Sequence, residues 1–338
     1  MKQIPCILLL LLSACEKPED VPERAFYHWE TRLELTAQEV GYLQKLLIKT
    51  LYVRFFDVDL EAGVPVPLAE VQIQSVPSGL RIVPAVFITN RTIRETDPAD
   101  VRLLAEKIVN KVIQSGQVLG ENRIRELHVD CDWTEGTRDR YFALLQEIKS
   151  RARGWQLSVT LRLHQWKYAA RTGVPPADLA ILMCYNTGDL ERWEESNSIL
   201  SDEALRPYLD RVEPYPLPMG IALPVFRWGV IFRDGRLVRL LHGLEATALR
   251  DPERFTQIGI NRFMVKKNTY LDGHYLYHGD RIRLESTDAK TCKSAARLLR
   301  PALRRTPAKT VALYHIEPSL IQRMPYETAE RVFKAFSP

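Results

Sequence analysis

Short strand-like apolar runs alternate with amphipathic stretches over most of this 338-residue chain. The strand pattern falls at Ala25–Glu30, Thr50–Phe56, Leu80–Thr89, Glu126–Trp133, Gln156–His164, Leu179–Asn186, Met219–Phe226 and Thr310–Ile316. Helical periodicity lies between most of these runs. It starts at Thr36, with Glu39 three residues on in a capping-box spacing, and recurs from about Pro98 to Ile113, Thr137 to Arg151, Ser201 to Val212 and Tyr326 to Phe336. Strands that alternate with helices predict a parallel sheet of the α/β class. Eight such units in about 300 residues predict a (β/α)8 TIM-type barrel.

Alternation within the strands favours a closed barrel over an open doubly wound sheet. In Leu127–Trp133 the apolar residues share one face, while His128, Asp130 and Asp132 take the other. In Ser158–His164, Val159, Leu161 and Leu163 oppose Ser158, Thr160, Arg162 and His164. A strand covered by helices on both sides reads as apolar on both, so the polar faces must look into a lumen. Pro84 and Pro224 fall inside the third and seventh strands, where each removes a ladder donor and demands a bulge or a strand end. From Trp228 to about Thr306 the pattern departs from a simple connection. Asp234-Gly235 between apolar residues signals a hairpin, a second strand pair is expected around His278-Gly279-Asp280, and Asp288 to Arg305 is amphipathic and basic. The expectation is an α+β insertion, about residues 229–305, between strands 7 and 8.

The beginning of the chain reads MKQIPCILLLLLSACEKPED. Lys2 precedes an apolar run from Ile4 to Leu12 that is too short to span a bilayer as a helix, the pattern of a secretory signal segment. Leu12-Ser13-Ala14-Cys15 resembles the lipobox of bacterial lipoproteins. The resemblance implies a signal peptide over residues 1–14, a lipidated (palmitate-bearing) Cys15, a tether over 15–24, and a barrel over 25–338 anchored in the cell envelope. An ordinary signal peptide with Cys15 left over is the plainer alternative. Glu16, in place of Asp, argues within that resemblance against inner-membrane retention. The acids Glu16, Glu19 and Asp20 resemble the surface-export signals of Bacteroidetes lipoproteins. Loss of residues 1–14 leaves 338 − 14 = 324 residues, enough for one large domain.

The net charge of +5 is modest, and Lys and Arg are scattered among acids with no basic stripe of interleaved aromatics. Nucleic acid is therefore not expected as a partner. Cys131, Cys184 and Cys292 show no C-x-x-C spacing, so neither a disulfide framework nor a cysteine zinc site is indicated. No Gly-rich phosphate loop occurs, no His-x-His pair announces a metal, and no cofactor is expected. Cys131 and Cys184 both fall out of phase with the polar faces, as small core residues do.

In a barrel of this kind functional residues sit at the C-terminal strand ends. Those ends carry His28 and Trp29; Arg54, Asp57 and Asp59; Asn90; Asp130, Asp132 and Trp133; Arg162 and His164; Tyr185 and Asn186; Phe226 and Trp228; His315 and Glu317. Carboxylates for acid–base work beside aromatic rings that stack on sugar C–H faces suit a glycan or oligosaccharide site. The same residues also suit a structural role in which Asp130 and Asp132 pair with Arg54 and Arg162 inside the barrel. Tyr270, His274, Tyr275, Tyr277 and His278 form either an aromatic wall beside the mouth or a hairpin packed on the barrel side.

Two of these strand ends resemble glycoside hydrolase family 18, the chitinase-like barrels. Asp130-Cys131-Asp132-Trp133 is similar to the latter part of that family's acidic motif on the fourth strand. Met183-Cys184-Tyr185-Asn186 is similar to its Met-x-Tyr-Asp motif on the sixth. The resemblance implies Asp130 and Asp132 as supporting acids and Tyr185 as a substrate-orienting hydroxyl. It also implies a catalytic Glu two residues after the last Asp, where this chain has Thr134. Glu135 lies one residue further and is the candidate replacement, with Asp57 and Glu317 as other acids within the set, and Asn186 stands where the family has Asp. Arg54, Asp57, Trp133, Arg162, His164, Asn186, Trp228 and His315 are the candidate substrate-binding residues. The whole chain also resembles uncharacterised barrel lipoproteins of Bacteroidetes-type bacteria. Three functions remain open: a cell-envelope glycoside hydrolase, a non-catalytic glycan-binding lipoprotein with a degenerate site, and a structural lipoprotein whose barrel scaffolds the insertion.

Overall fold

The computed structural model describes residues 21–120 and 123–337, so the signal segment and Cys15 lie outside the described residues. Eight parallel strands form the core: β1 (Glu23–His28), β2 (Thr50–Glu61), β3 (Arg81–Ile88), β4 (Glu126–Asp130), β5 (Gln156–Arg162), β6 (Leu179–Met183), β7 (Met219–Pro224) and, after the insertion, the strand Ala308–Tyr314. Each pairs with its neighbours in chain order. Ala308–Tyr314 joins β7 to β1, and β1 pairs with β2, which closes the barrel. All eight expected strands are present, in a (β/α)8 barrel.

Both prolines sit where a missing N–H is tolerated. Pro84 lies beside a register shift in the β2–β3 pairing, between Arg54 and Phe56, and Pro224 is the last residue of β7. The bulge also reorients β2. Phe55 approaches α2 (Val101–Gly116) near Gly116, and Phe56 lines an apolar groove with Leu104 and Ile108. Two successive outward side chains return Asp57 to the lumen side, level with Phe87 and Asp130 on the next two strands.

The helices form because their apolar residues recur at three- and four-residue spacing. In α2 the buried set is Val101, Leu104, Ala105, Ile108, Val109 and Val112. In α1 (Ala37–Lys45) the Thr36 hydroxyl accepts from the Glu39 N–H while Glu39 accepts from the Thr36 N–H, the expected capping box. Helix α3 (Arg138–Arg151) buries Tyr141, Leu144, Leu145 and Ile148, and α4 (Asp202–Leu209) is capped by Ser201. The barrel floor is polar and tied. Arg81 donates to both Glu23 oxygens at 2.8 and 3.0 Å and to Thr50 at 2.8 Å, and lies 3.7 Å from Glu126, which also accepts from Tyr52 at 3.3 Å. Gly220 in β7 lets this lumen close, because a Cβ there would come within 2.5 Å of the Ile181 side chain.

The chain between β7 and the eighth barrel strand builds a separate five-stranded antiparallel sheet. Its strands are β8 (Arg227–Arg233), β9 (Arg236–His242), β10 (Phe255–Gly259), β11 (Arg262–Val265) and β14 (Arg281–Ser286), in the order β9–β8–β14–β11–β10. Asp234 and Gly235, at φ 50 and 77, turn β8 into β9, the two left-handed residues a tight hairpin requires. The second hairpin is β12 (Thr269–Leu271) with β13 (His274–Leu276), turned by Asp272-Gly273 rather than at the expected His278-Gly279-Asp280. Gly279, at φ 88, instead feeds the chain into β14. The basic amphipathic stretch becomes α5 (Ala289–Leu303), capped by Asp288, and α6 (Tyr326–Lys334) closes the outer layer. Ala308–Tyr314 is β15 in chain order. Among the described residues no helix is long and apolar enough to cross a membrane.

Candidate functional site

The floor of the mouth is aromatic. Tyr27 and Tyr52 stack at 4.9 Å, and both meet the His128 ring edge-on, at 5.8 and 5.3 Å. His128 is fully buried, with Ser158 Oγ 3.0 Å from Nδ1 and Thr160 Oγ1 3.3 Å from Nε2. Burial lowers its pKa to about 3, so the ring is neutral at any physiological pH. Above this floor Trp29, Tyr185, Phe226 and Tyr314 form a wall. Tyr185 stacks on Tyr314 at 5.2 Å, Phe226 meets Tyr185 at 6.0 Å and Tyr314 at 5.9 Å, and Trp29 lies 5.5 Å from Tyr314.

Asp130 ends β4 inside this ring of aromatics. Burial, and then the Asp132 charge, push its carboxyl up to about 7; a hydrogen bond from Thr160 and the Arg162 charge oppose the shift without cancelling it. Arg54 does not neutralise it, because its guanidinium grips Asp57 in a bidentate pair, with Nε 2.7 Å from Oδ1. Arg162 points across the mouth instead, 3.6 Å from Asp132 and 5.9 Å from the Tyr185 ring centre. Asp132 is 61% exposed. The mouth therefore holds a protonatable carboxyl at depth, an exposed carboxylate near Arg162 at its rim, and a tyrosine hydroxyl. Burial raises the Tyr185 pKa, keeping it a proton donor, and that hydroxyl contacts Met183 Sδ at 3.1 Å.

The structure thus brings together Asp130, Asp132, Arg162 and Tyr185, with Arg54 and Asp57 alongside. The other expected residues lie elsewhere. Trp133 is buried against α3, stacked on Tyr141 at 5.2 Å, because it shares the outward parity of Val129 and Cys131. His164 is exposed on the short helix Leu163–Lys167: β5 ends at Arg162, so alternation no longer governs the next residue. Glu135 is 59% exposed and pairs with Arg171 at 2.7 Å. Thr134 is held in a turn, its N–H donating to Thr137 Oγ1 at 2.9 Å. Asn186 is exposed, at φ 53. Trp228 is buried and donates to Glu285 at 2.6 Å. His315 stands at the opposite rim, next to His28 and to Glu317, which Arg323 and Ser319 hold at 2.6 and 2.7 Å. Asp59 serves a local cap, accepting from Arg91 at 2.6 Å and Thr89 at 2.7 Å, and Asn90 accepts from Thr137 at 2.7 Å.

Tyr27, Tyr52, Tyr314 and the Thr160 contact escaped the sequence reading. The signal was available: Trp29 follows Tyr27 at a two-residue spacing at the end of β1, as Arg54 follows Tyr52 on β2. Among the described residues no cluster of three or more His, Cys, Asp or Glu could hold a metal ion. Cys131, Cys184 and Cys292 are buried free thiols whose pKa values burial raises, so all three sit in the core as unreactive groups.

No family model matches the chain, and no curated protein matches its sequence. Solved structures do. A chitinase from Chromobacterium violaceum aligns with a TM-score of 0.52 at 12% identity, over 93% of this chain and 98% of that one. The C-terminal domain of a putative chitinase from Desulfitobacterium hafniense gives 0.53 at 11%, over 94% and 98%. A chitinase from Bacteroides thetaiotaomicron gives 0.51 at 11%, over 93% and 97%. The chain has the fold of the chitinase barrels. At such identities the likeness is one of architecture, and it spans the insertion as well as the barrel.

Proposed function

We propose that this chain is a cell-envelope lipoprotein whose barrel acts on a glycan as a glycoside hydrolase, with Asp130 as the group that carries the proton. The carrying observation is a carboxyl held near pKa 7 inside an aromatic-walled mouth, with the exposed Asp132 carboxylate and Arg162 beside it. A protonated acid at neutral pH can protonate a glycosidic oxygen, and a neighbouring carboxylate can stabilise the cationic sugar or activate water. Aromatic rings at the mouth give pyranose faces a surface to stack on. The chitinases of like fold support the substrate class, and the lipobox-like Leu12–Cys15 supports the envelope.

Release of reducing ends from chito-oligosaccharides, peptidoglycan strands and plant glucans tests the reading. Wild type is expected to cleave at least one of them, with kcat/KM falling as pH rises through about 7, as Asp130 loses its proton. Asp130→Asn and Asp132→Asn should each lower kcat by about 100-fold or more. Equal turnover by wild type and both variants removes these acids from the mechanism.

One observation favours a second reading, a non-catalytic glycan-binding barrel. The position that carries the catalytic Glu in the resembling family is Thr134, fixed in a turn, and Glu135 is engaged with Arg171 at the surface. Calorimetry on the same glycans separates the two: binding with no cleavage supports the second, and neither binding nor cleavage rejects both.

A further inference from the structure

The end of the barrel opposite the mouth gathers charge that is scattered along the chain. Lys45 and Lys49 flank the turn into β2, Arg123 and Arg125 lead into β4, Arg153 precedes β5 and Arg304 follows α5; all six are exposed. Parallel topology puts every one of these turns at the strands' N-terminal end. Among the described residues, the acids at this end face a cation of their own: Glu23 meets Arg81, Asp178 Lys149, Asp210 Arg211 and Glu213 Arg305. Three apolar side chains project among the charges. Leu47 is 68% exposed, Val118 62% and Val21 64%. Leu47 also holds φ 58, a left-handed conformation a leucine seldom adopts, so the turn presents its side chain outward despite the cost.

We infer that this face docks on the headgroups of an anionic phospholipid bilayer, with Leu47 and Val118 dipping into the interface and the glycan mouth held outward. The chain itself indicates the occupant. Val21 enters β1 from this same end, and five residues separate it from Cys15, a reach of at most about 20 Å. The inference rests on the envelope reading above for the nearness of a membrane. The docking surface itself rests on the charge and exposure of the folded body. Each Lys or Arg near an anionic bilayer surface adds to the attraction, so a patch of several basic side chains orients a tethered body on it.

The test uses the full chain with Cys6→Ser and Cys15→Ser, which cannot be lipidated there, and vesicles of phosphatidylcholine with or without 30 mol% phosphatidylglycerol (roughly the anionic share at which basic patches bind). Phosphatidylglycerol is expected to raise partitioning, 0.5 M salt (about a 4 Å screening length) to remove the rise, and the triple variant Arg123→Glu/Arg125→Glu/Arg153→Glu to lower it by at least about 100-fold. A fluorophore on Leu47→Cys should shift to the blue on these vesicles, and one on Asp132→Cys should not. Equal binding to both vesicles, an increment that survives the triple variant, or a shift at position 132 rather than 47 overturns the inference. The envelope reading is tested apart, by the mass of the Cys15 peptide recovered from membranes of the producing bacterium. An unmodified peptide rejects the anchor while leaving the vesicle result to judge the surface.

Discussion

A carboxyl held at pKa about 7 is a site of stored instability as well as of chemistry. The unfolded Asp titrates near 3.8 and the folded Asp130 near 7, so between those values the folded chain holds a proton the unfolded chain has released. Asp130 therefore costs nothing below about pH 4, and its cost grows as pH rises, levelling off above 7. Full separation of the two values corresponds to about 4 kcal/mol, and partial solvent access at the mouth reduces this to about 1–3 kcal/mol. Asp130→Asn should leave the Tm at pH 4 nearly unchanged and raise it by several degrees at pH 8, as read by thermal unfolding. A Tm gain that does not depend on pH would show that the carboxyl is not desolvated. Asp130 and Arg162 were legible from period-two alternation alone, because β4 and β5 are regular up to those residues. Trp133 keeps the outward parity of Val129 and Cys131 and so leaves the mouth, while His164 and Glu135 lie past the strand ends, where alternation stops. No local pattern marks that a strand yields to a turn after Asp130 or to a short helix at Leu163. Asp57 reached the mouth for a reason alternation hides: the bulge at Phe55-Phe56 shifts its parity by one.

Among the elements, the inserted sheet carries a buried ion pair on the face it turns to the loop after β6. Arg283 and Glu285 on β14 are both nearly inaccessible and 2.6 Å apart. Arg283 also donates to the carbonyls of Arg192 and, at 3.2 Å, Leu190. Glu285 accepts from Ser198 at 2.5 Å and from the Trp228 indole at 2.6 Å. The pair thus joins the sheet to the loop after β6, while the Trp228 bond ties β14 to its sheet neighbour β8. Removing one partner from such a pair strands the other charge in the interior, so Glu285→Ala should cost about 3–5 kcal/mol. Chemical denaturation gives the size, and hydrogen exchange should show the loss first in β8, β14 and residues 189–199. A cost below about 1 kcal/mol would mean that water reaches Arg283 in solution. The barrel strands were readable as apolar runs of about the right length, and the Asp234-Gly235 hairpin was readable from its turn residues. The second hairpin was misplaced because two Asp-x or x-Gly turns, at Asp272-Gly273 and His278-Gly279, compete within eight residues, and only sheet pairing decides between them. The tyrosines of that hairpin settle as neither expectation had it. Tyr270, Tyr275 and Tyr277 stay substantially exposed and pack on one another, at 5.0 and 5.1 Å, with Arg233 4.2 Å over Tyr277. Arg233 ends β8, six residues along the strand from the barrel rim at Arg227, so this cluster stands away from the mouth.

Taken as a whole, the molecule sorts its ionisable groups by depth, and that order was not visible along the chain. Evenly spread charge is what the sequence offers; closure of the barrel puts Glu126, His128 and Asp130 on the same inner face and six exposed lysines and arginines at the turns of one outer end. The inner histidines set the acid limit of the fold. Burial lowers His128 to about 3, and burial followed by the His315 charge lowers His28 to about 4. Both are neutral in the folded chain where the unfolded chain, with ordinary histidine values near 6.5, is protonated. Their contribution is complete above about pH 6.5 and is lost as pH falls towards 4 and then 3. Near pH 5 the unfolded state holds one extra proton at each ring, about 1.4 kcal/mol per pH unit apiece, and Asp130 opposes them with a proton held only by the folded state. The net slope should therefore be about 1.4 kcal/mol per unit from this trio, stability rising with pH. His128→Gln should flatten the dependence by about that amount, and Asp130→Asn should steepen it by the same amount. Urea unfolding at pH 4.5, 5, 5.5 and 6 (steps of about half a unit, ample for a one-proton slope) measures these slopes, which are insensitive to any uniform loss from the substitution itself. If His128→Gln left the slope unchanged, the imidazole would have to be protonated inside the fold, and the aromatic floor of Tyr27 and Tyr52 would have to admit a charge.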